Sequence, residues 1–305
     1  MSSKKYDYIV SPPDGRDYTF SAPSDSTAST LPQNYTLSSY KLPINRIEDQ
    51  GQIGACVAFG VTSAFERLIT VMTNDTSFQG SPLFNYTNSR ILDADELTED
   101  EGTTLRSGCA NLRLTGVCRD VTWPYTLPNF SVTPSKAAYS EARYLAQIVN
   151  YYEVVRQLSA LKFIIGAYGY YVSIGFMVYP GYESAATNAT GDIPDPNLTI
   201  EQSIGGHCVN LIGWDDSTQR FTFINQYGSS WGNAGTGTIS YSYVLNTALT
   251  PEIKLLLPND NFIAAYNAFI EQEQDSINMM YVWVGITVLL LLIGVLTFSY
   301  LRRHR

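Results

Sequence analysis

Apolar residues first recur at helical spacing in GVTSAFERLITVM (Gly60–Met72), where Ala64, Phe65, Leu68, Ile69 and Met72 share one face. The pattern predicts a core-facing helix. It follows DQGQIGACVAF (Asp49–Phe59), a Gly-rich turn that runs into a cysteine. Further periodicity predicts helices over Leu83–Leu92, over Leu105–Val117 with Gly116 as its stop, and over Ala137–Ile148 and Glu153–Leu161. From Phe163 to Val178 the β-branched and aromatic residues predict strand, and His207–Val244 predicts the final strands. The first half is thus helical and the second half β, an α+β pattern. Turn formers Pro12, Pro13, Asp14 and Gly15 break the N-terminal stretch. Asp25–Thr30 is Ser/Thr-rich and expected to be loose, and Asp93–Gly108 is acidic and expected to face solvent.

A different pattern closes the chain. Met279–Leu301 runs without a charge, long enough for a helix to cross a bilayer, with Tyr281, Trp283 and Tyr300 set like interface aromatics. Asn261–Gln274 is expected to be an amphipathic helix or linker, ending in the acidic Glu271–Asp275. The expected organisation is an arm (1–40), a folded domain (41–255, its helical part to about 150), a helix or linker (256–278), a transmembrane helix (279–301) and a basic tail (302–305). Arg302, Arg303 and Arg305 favour a cytoplasmic C-terminus. Six Asn-x-Ser/Thr sequons (Asn34, Asn74, Asn85, Asn129, Asn188, Asn197) would suit a luminal domain instead. Met1–Lys5 lacks the apolar core of a signal peptide, so a tail-anchored chain with its folded domain on the cytosolic side is the expectation.

Composition narrows the function. With 305 residues, 45% of them hydrophobic, the chain has material for one large two-lobed domain or two small ones. A net charge of −9 argues against nucleic-acid binding, which needs a basic face. Four cysteines form no Cys-x-x-Cys pair, and with His304 in the tail the one remaining histidine cannot supply a usual zinc set, so no metal and no cofactor are expected. Cys109 and Cys118 are candidates for a disulfide, but a reducing compartment is the simpler view.

The candidate chemistry begins at Cys56. A thiol at a helix N-terminus meets free N–H groups and the helix dipole, which favour thiolate. Gly51 and Gly54 allow the turn that returns Gln50 to the sulfur. Downstream, His207 opens an apolar strand in GGHCVNLIGWDD (Gly205–Asp216), and Asn225 closes the next in FTFINQYGSSWG (Phe221–Gly232). A lone cysteine is most often a small buried hydrophobe and a lone histidine most often structural. Here Gln-x5-Cys, then His about 150 residues on, then Asn, occur in one order.

From Ile9 to Tyr243 the chain resembles the papain-like cysteine peptidases. Its nearest likeness is a bacterial, archaeal and large-DNA-virus branch, through Pro13–Asp17 (a PDxRD lead-in), GVCRDVTWPY (Gly116–Tyr125), Val178-Tyr179 with Tyr182-Glu183, and Thr190–Pro196. The resemblance implies a two-lobed fold with the cleft between a helical and a β lobe. It implies Cys56 as nucleophile, His207 as proton carrier and Asn225 as orienter of the imidazole. Gln50 and the Cys56 N–H would form the oxyanion hole, and Gly102, Thr103 and Gly206 would border the substrate. It also implies a peptide substrate and no inhibitory pro-helix, so control would come from elsewhere. Several positions depart from the family: Ile53 for a disulfide cysteine, Val57 for Trp, Gln226-Tyr227 for Ser-Trp and Cys208 for Ala, while Trp231-Gly232 is kept. The viral likeness adds a virion membrane and coat proteins as expected partners. A second reading keeps the scaffold as a weak or inactive protein linking a membrane to a coat.

Overall fold

The computed structural model describes residues 4–15, 17–22, 31–37 and 46–303. Asp25–Thr30, expected to be loose, lies outside them. The chain forms two compact units, Met1–Phe262 and Ile263–Arg305.

Short strands open the first unit: β1 (Tyr8–Ile9), β2 (Thr19–Phe20) and β3 (Asn34–Thr36). Helix α1 (Cys56–Thr73) follows, largely apolar and buried from Cys56 to Thr70. It ends where Asn74 turns left-handed at φ 61° and returns its N–H to the Thr70 carbonyl. Helix α2 (Pro82–Asp93) starts on Ser81, whose hydroxyl accepts from the Phe84 N–H, with Pro82 in the first turn. Strand β4 (Thr103–Thr104) leads into α3 (Leu105–Leu114), capped by Thr104. Helix α4 (Lys136–Ala142) is capped by Ser135 and continues as a tight turn over Arg143–Leu145. These helices fall where expected; α1 and α2 extend slightly beyond the expected bounds, and α3 and α4 end short of them.

The second half forms the sheet: β5 (Val149–Val154), α5 (Leu158–Phe163), β6 (Val172–Val178), α6 (Ala185–Thr190), β7 (Gly205–Asp215), β8 (Arg220–Ile224), β9 (Thr236–Ser240), α7 (Tyr241–Leu245) and β10 (Glu252–Pro258). The strand order is β2-β5-β10-β6-β7-β8-β9, with β3 also on β7. Within this sheet every strand pairing is antiparallel except β2 on β5.

Two expectations are corrected here. The helix expected over Glu153–Leu161 begins as strand β5, where Glu153 sits opposite Lys254 and pairs with its ammonium at 3.0 Å. Cross-strand partners outweigh local helix propensity there. The strand expected from Phe163 starts only at Val172, after a wide helical turn over Ile164–Tyr168 that Gly169 ends at φ 71°. An apolar run of this kind reads alike as buried helix or buried strand.

Helix α1 lies against β6, β7 and β10. The Asn210 amide donates to the Gly60 carbonyl at 2.8 Å. The Cys208 thiol packs beside Gly60. Cys56, Cys109, Cys118 and Cys208 are all free and buried, and the Cys109–Cys118 disulfide is not formed. Asn85, one of the six sequon asparagines, is wholly buried and hydrogen-bonded to Thr62, Ser89 and Asn111.

The second unit is one continuous helix, the main part of α8 (Phe262–Arg303). No break separates the expected linker from the expected membrane span. Met279–Val284, Ile286, Leu290 and Leu291 are exposed along it.

Candidate active site

The two walls of the site come from opposite sides of the first unit. On the helical wall, the turn over Gln50–Ala55 delivers Cys56 as the first residue of α1, as the periodicity predicts. Gly51 takes φ 60°, a left-handed turn that favours glycine. Gln50 is buried. Its main-chain N–H donates to the Gln226 carbonyl at 2.9 Å, and its side-chain Nε2 donates to the Ile53 carbonyl at 2.9 Å. Its Oε1 is buried with no hydrogen-bond partner.

On the sheet wall, His207 of β7 and Asn225 just past β8 meet through Nε2 and Oδ1 at 2.9 Å. The network assigns the proton. Asn225 Oδ1 also accepts from the Gln226 N–H at 3.0 Å, and Nδ2 donates to the Tyr182 hydroxyl at 3.1 Å. Oδ1 is therefore the acceptor, Nε2 carries hydrogen, and Nδ1 keeps a free lone pair. Tyr227 stacks on the imidazole at 4.9 Å with 16° between planes, and its hydroxyl lies 3.5 Å from Nδ1. Tyr227 thus covers the ring at the position where the family carries Trp.

Gln226 bridges the walls. Its Nε2 donates to the Cys208 carbonyl at 2.6 Å and lies 3.4 Å from the Cys56 carbonyl. The Cys208 main chain lies near the Cys56 thiol. Among the described residues no hydrogen bond joins that thiol to His207.

The cleft is occupied by the chain's own N-terminal arm. Strand β1 pairs in parallel with β4, Tyr8 opposite Thr103 and Ile9 opposite Thr104. On the other wall, the Gly206 N–H donates to the Tyr6 carbonyl at 3.0 Å, and Asp7 bridges to Gly206. A Cβ on Gly102, at φ 83°, would lie 1.7 Å from the Asp7 carbonyl oxygen, so only glycine fits beneath the arm. Gly102, Thr103 and Gly206, expected to border a substrate, here contact the arm. Lys4 reaches over the Tyr227 ring at 4.5 Å and donates to Asn188 at 2.6 Å. Lys5 pairs with Asp100 at 2.5 Å, and Asp100 in turn accepts from the Tyr86 hydroxyl and the Gly54 N–H.

The electrostatics of this closed state differ from the expected thiolate–imidazolium pair. Burial pushes the Cys56 thiol up to about 12, and the Asp7 carboxylate adds to the rise, while hydrogen bonds from the Cys208, Val57 and Cys56 main chain oppose it. Burial lowers His207 to about 4, against the Asn225 bond and aided by the Lys4 charge. Both groups are neutral near pH 7. The helix N-terminus is present, but desolvation under the arm outweighs it.

A family model described as papain family cysteine protease matches residues 31–249. The chain belongs to that family. It is 30% identical over 216 residues to an uncharacterized peptidase C1-like protein of Acanthamoeba polyphaga mimivirus, covering 68% of each chain. Xylellain, a cysteine protease from Xylella fastidiosa, superposes with a TM-score of 0.75 at 28% identity, over 83% of this protease and 96% of that one. A procathepsin B from Trypanosoma congolense shares the fold, with a TM-score of 0.64 at 12% identity over 83% and 86% of the two chains. The protease is thus a papain-like α+β protein.

Sequence reasoning missed the arm's residues. Tyr6, Asp7 and Tyr8 lie between Lys5 and a Pro-rich turn, and nothing local says where such a segment docks. It also missed Tyr182, whose hydroxyl holds Asn225, and Glu252, which holds Tyr8.

Proposed function

We propose that this protease is a membrane-anchored cysteine endopeptidase that cleaves peptide bonds with Cys56, His207 and Asn225. The observation carrying this reading is the Nε2–Oδ1 bond of His207 and Asn225, which leaves Nδ1 as the base on the wall opposite the N-terminus of α1. When the arm yields to a substrate, the Cys56 S–H passes its proton to His207 Nδ1 and the sulfur attacks the carbonyl carbon. The Cys56 N–H and the second N–H of Gln50 Nε2 take the oxyanion. As the tetrahedral adduct collapses, the C–N bond breaks and the imidazolium returns its proton to the leaving amine. Water, deprotonated by His207, then hydrolyses the thioester and frees the thiol. The apolar Met279–Leu301 supports a membrane anchor, with the peptidase unit on the cytosolic side.

The test is a thiol-directed epoxide applied to the full chain in detergent, read by peptide mass spectrometry. A single adduct at Cys56 that disappears in His207→Ala is expected. Labelling spread over Cys109, Cys118 and Cys208, or peptide hydrolysis that survives Cys56→Ala, would sink the reading.

A further inference from the structure

Tyr8 is only 5% exposed, and its ring passes between glycines on neighbouring strands, Gly175 of β6 and Gly206 of β7. A Cβ on Gly175 would lie 2.2 Å from the ring's Cζ, and one on Gly206 2.7 Å from its Cδ1. Neither glycine is among those with positive φ, so backbone conformation does not require them. What they provide is room for a side chain between two strands. At the end of this socket stands Glu252 of β10, itself buried. Its Oε2 accepts from the Tyr8 hydroxyl at 2.7 Å and from the Ser11 N–H at 2.9 Å. Its Oε1 is buried with no hydrogen-bond partner. Lys254 lies 3.9 Å from that oxygen and sits closer to Glu153, at 3.0 Å, and Asp17, at 3.3 Å.

The socket belongs to the sheet, and only its occupant belongs to the arm. Opening it requires residues 4–11 to leave. Thr19–Phe20 can stay paired with β5, because the Pro12–Gly15 turn lies between. The edges then vacated, Thr103–Thr104 and Gly205–Gly206, are the ones a substrate backbone would use. We propose that the socket is the specificity pocket of the peptidase site, which rests on the function proposed above. It takes a substrate side chain with an apolar body and a hydrogen-bond donor at its tip, tyrosine or arginine, ahead of phenylalanine or leucine. An apolar side chain would seal Glu252 in the socket with neither oxygen hydrogen-bonded and only the 3.9 Å ion pair to Lys254 left, a heavily penalised mismatch. Tyrosine satisfies Oε2 as Tyr8 does, and a guanidinium can meet both oxygens at once.

The test is a peptide library randomised around the cleaved bond, digested by the full chain in detergent, both wild type and Tyr8→Ala, with products read by mass spectrometry. At one position tyrosine and arginine are expected to exceed phenylalanine and leucine in kcat/KM by roughly tenfold or more. That ratio should fall to near one in Glu252→Leu and persist in part in Glu252→Gln, which keeps an acceptor. The ratio compares substrates on one enzyme, so it is independent of how firmly the arm sits. If a variant fails to label at Cys56, the wild-type ratio decides alone. Cleavage with equal use of tyrosine and phenylalanine at every position overturns the pocket and leaves the peptidase standing, as does a preference unchanged in Glu252→Leu. Cys56 labelling without cleavage of any library peptide also overturns the pocket. Neither labelling nor cleavage, in wild type and Tyr8→Ala alike, overturns both.

Discussion

The sheet wall of the cleft is wired and the helical wall is not. His207, Asn225, Tyr182, Gln226 and Tyr227 satisfy one another through hydrogen bonds and stacking. Opposite them the Cys56 thiol has no bond to His207, Gln50 Oε1 has no partner, and an arm carboxylate adds to the charge that disfavours thiolate. Strands exchange hydrogen bonds as they pair, so groups on β7 and β8 come pre-assembled. A helix N-terminus delivers a group without partnering it. The difference teaches that His207, the proposed base, is organised by the fold, whereas Cys56, the proposed nucleophile, has no bond to it while the arm is in place.

The largest test of this contrast removes the nucleophile. Cys56→Ala is expected to lower kcat by about 10⁴-fold or more without changing the melting temperature by more than a few degrees. Unchanged hydrolysis would move the chemistry elsewhere. On the wired wall, Asn225→Ala should cost about 10²-fold in kcat, because Nε2 loses the acceptor that fixes the tautomer. Equal effects of Asn225→Ala and Cys56→Ala would mean that the sheet wall collapses as a unit.

The arm offers a gain rather than a loss. Tyr8→Ala removes the buried phenol and its bond to Glu252, and Cys56 should then react with the epoxide roughly tenfold faster. No acceleration would mean that access to the thiol is not limited by residues 4–11.

The pH dependence follows from His207. Its neutral form is favoured in the folded state, where it titrates near 4, below its ordinary 6.5. The stability it contributes is full above pH 6.5 and is lost as pH falls from there through 4, on the order of 3 kcal/mol. Of the two histidines, NMR titration should find one near 4 that rises toward 6.5 once residues 1–11 are deleted. A value that stays low without the arm would assign the burial to the sheet wall alone. The smallest effect is expected from Tyr227→Phe, which keeps the stacking and removes only a 3.5 Å hydroxyl contact; kcat/KM should change no more than a few-fold.

Much of this site was legible before any coordinates. Cys56 was placed at a helix start by the period of the residues after it, and the structure puts it at the first position of α1. His207 and Asn225 were placed on successive strands, where they meet. Gly102, Thr103 and Gly206 were expected to border a substrate, and their contact with the chain's own arm was not foreseen. What was illegible depended on long-range pairing. Glu153 reads as helix until Lys254, distant in sequence, stands beside it.

By itself the sequence determined the helical first half, the β second half, the nucleophile's setting and the residue types of the site, because period and motif order are local properties. It also determined the long apolar stretch of α8. Apolarity alone did not say what such a helix does: α1 is also long and apolar enough to cross a membrane, yet 83% of it is buried in the fold. Only the tertiary structure decided that Tyr6 to Ile9 lie between the walls, that the thiol and imidazole rest neutral, and that Glu252 closes a socket between two strands. Those are consequences of which distant segments share one desolvated space, and no local pattern encodes that.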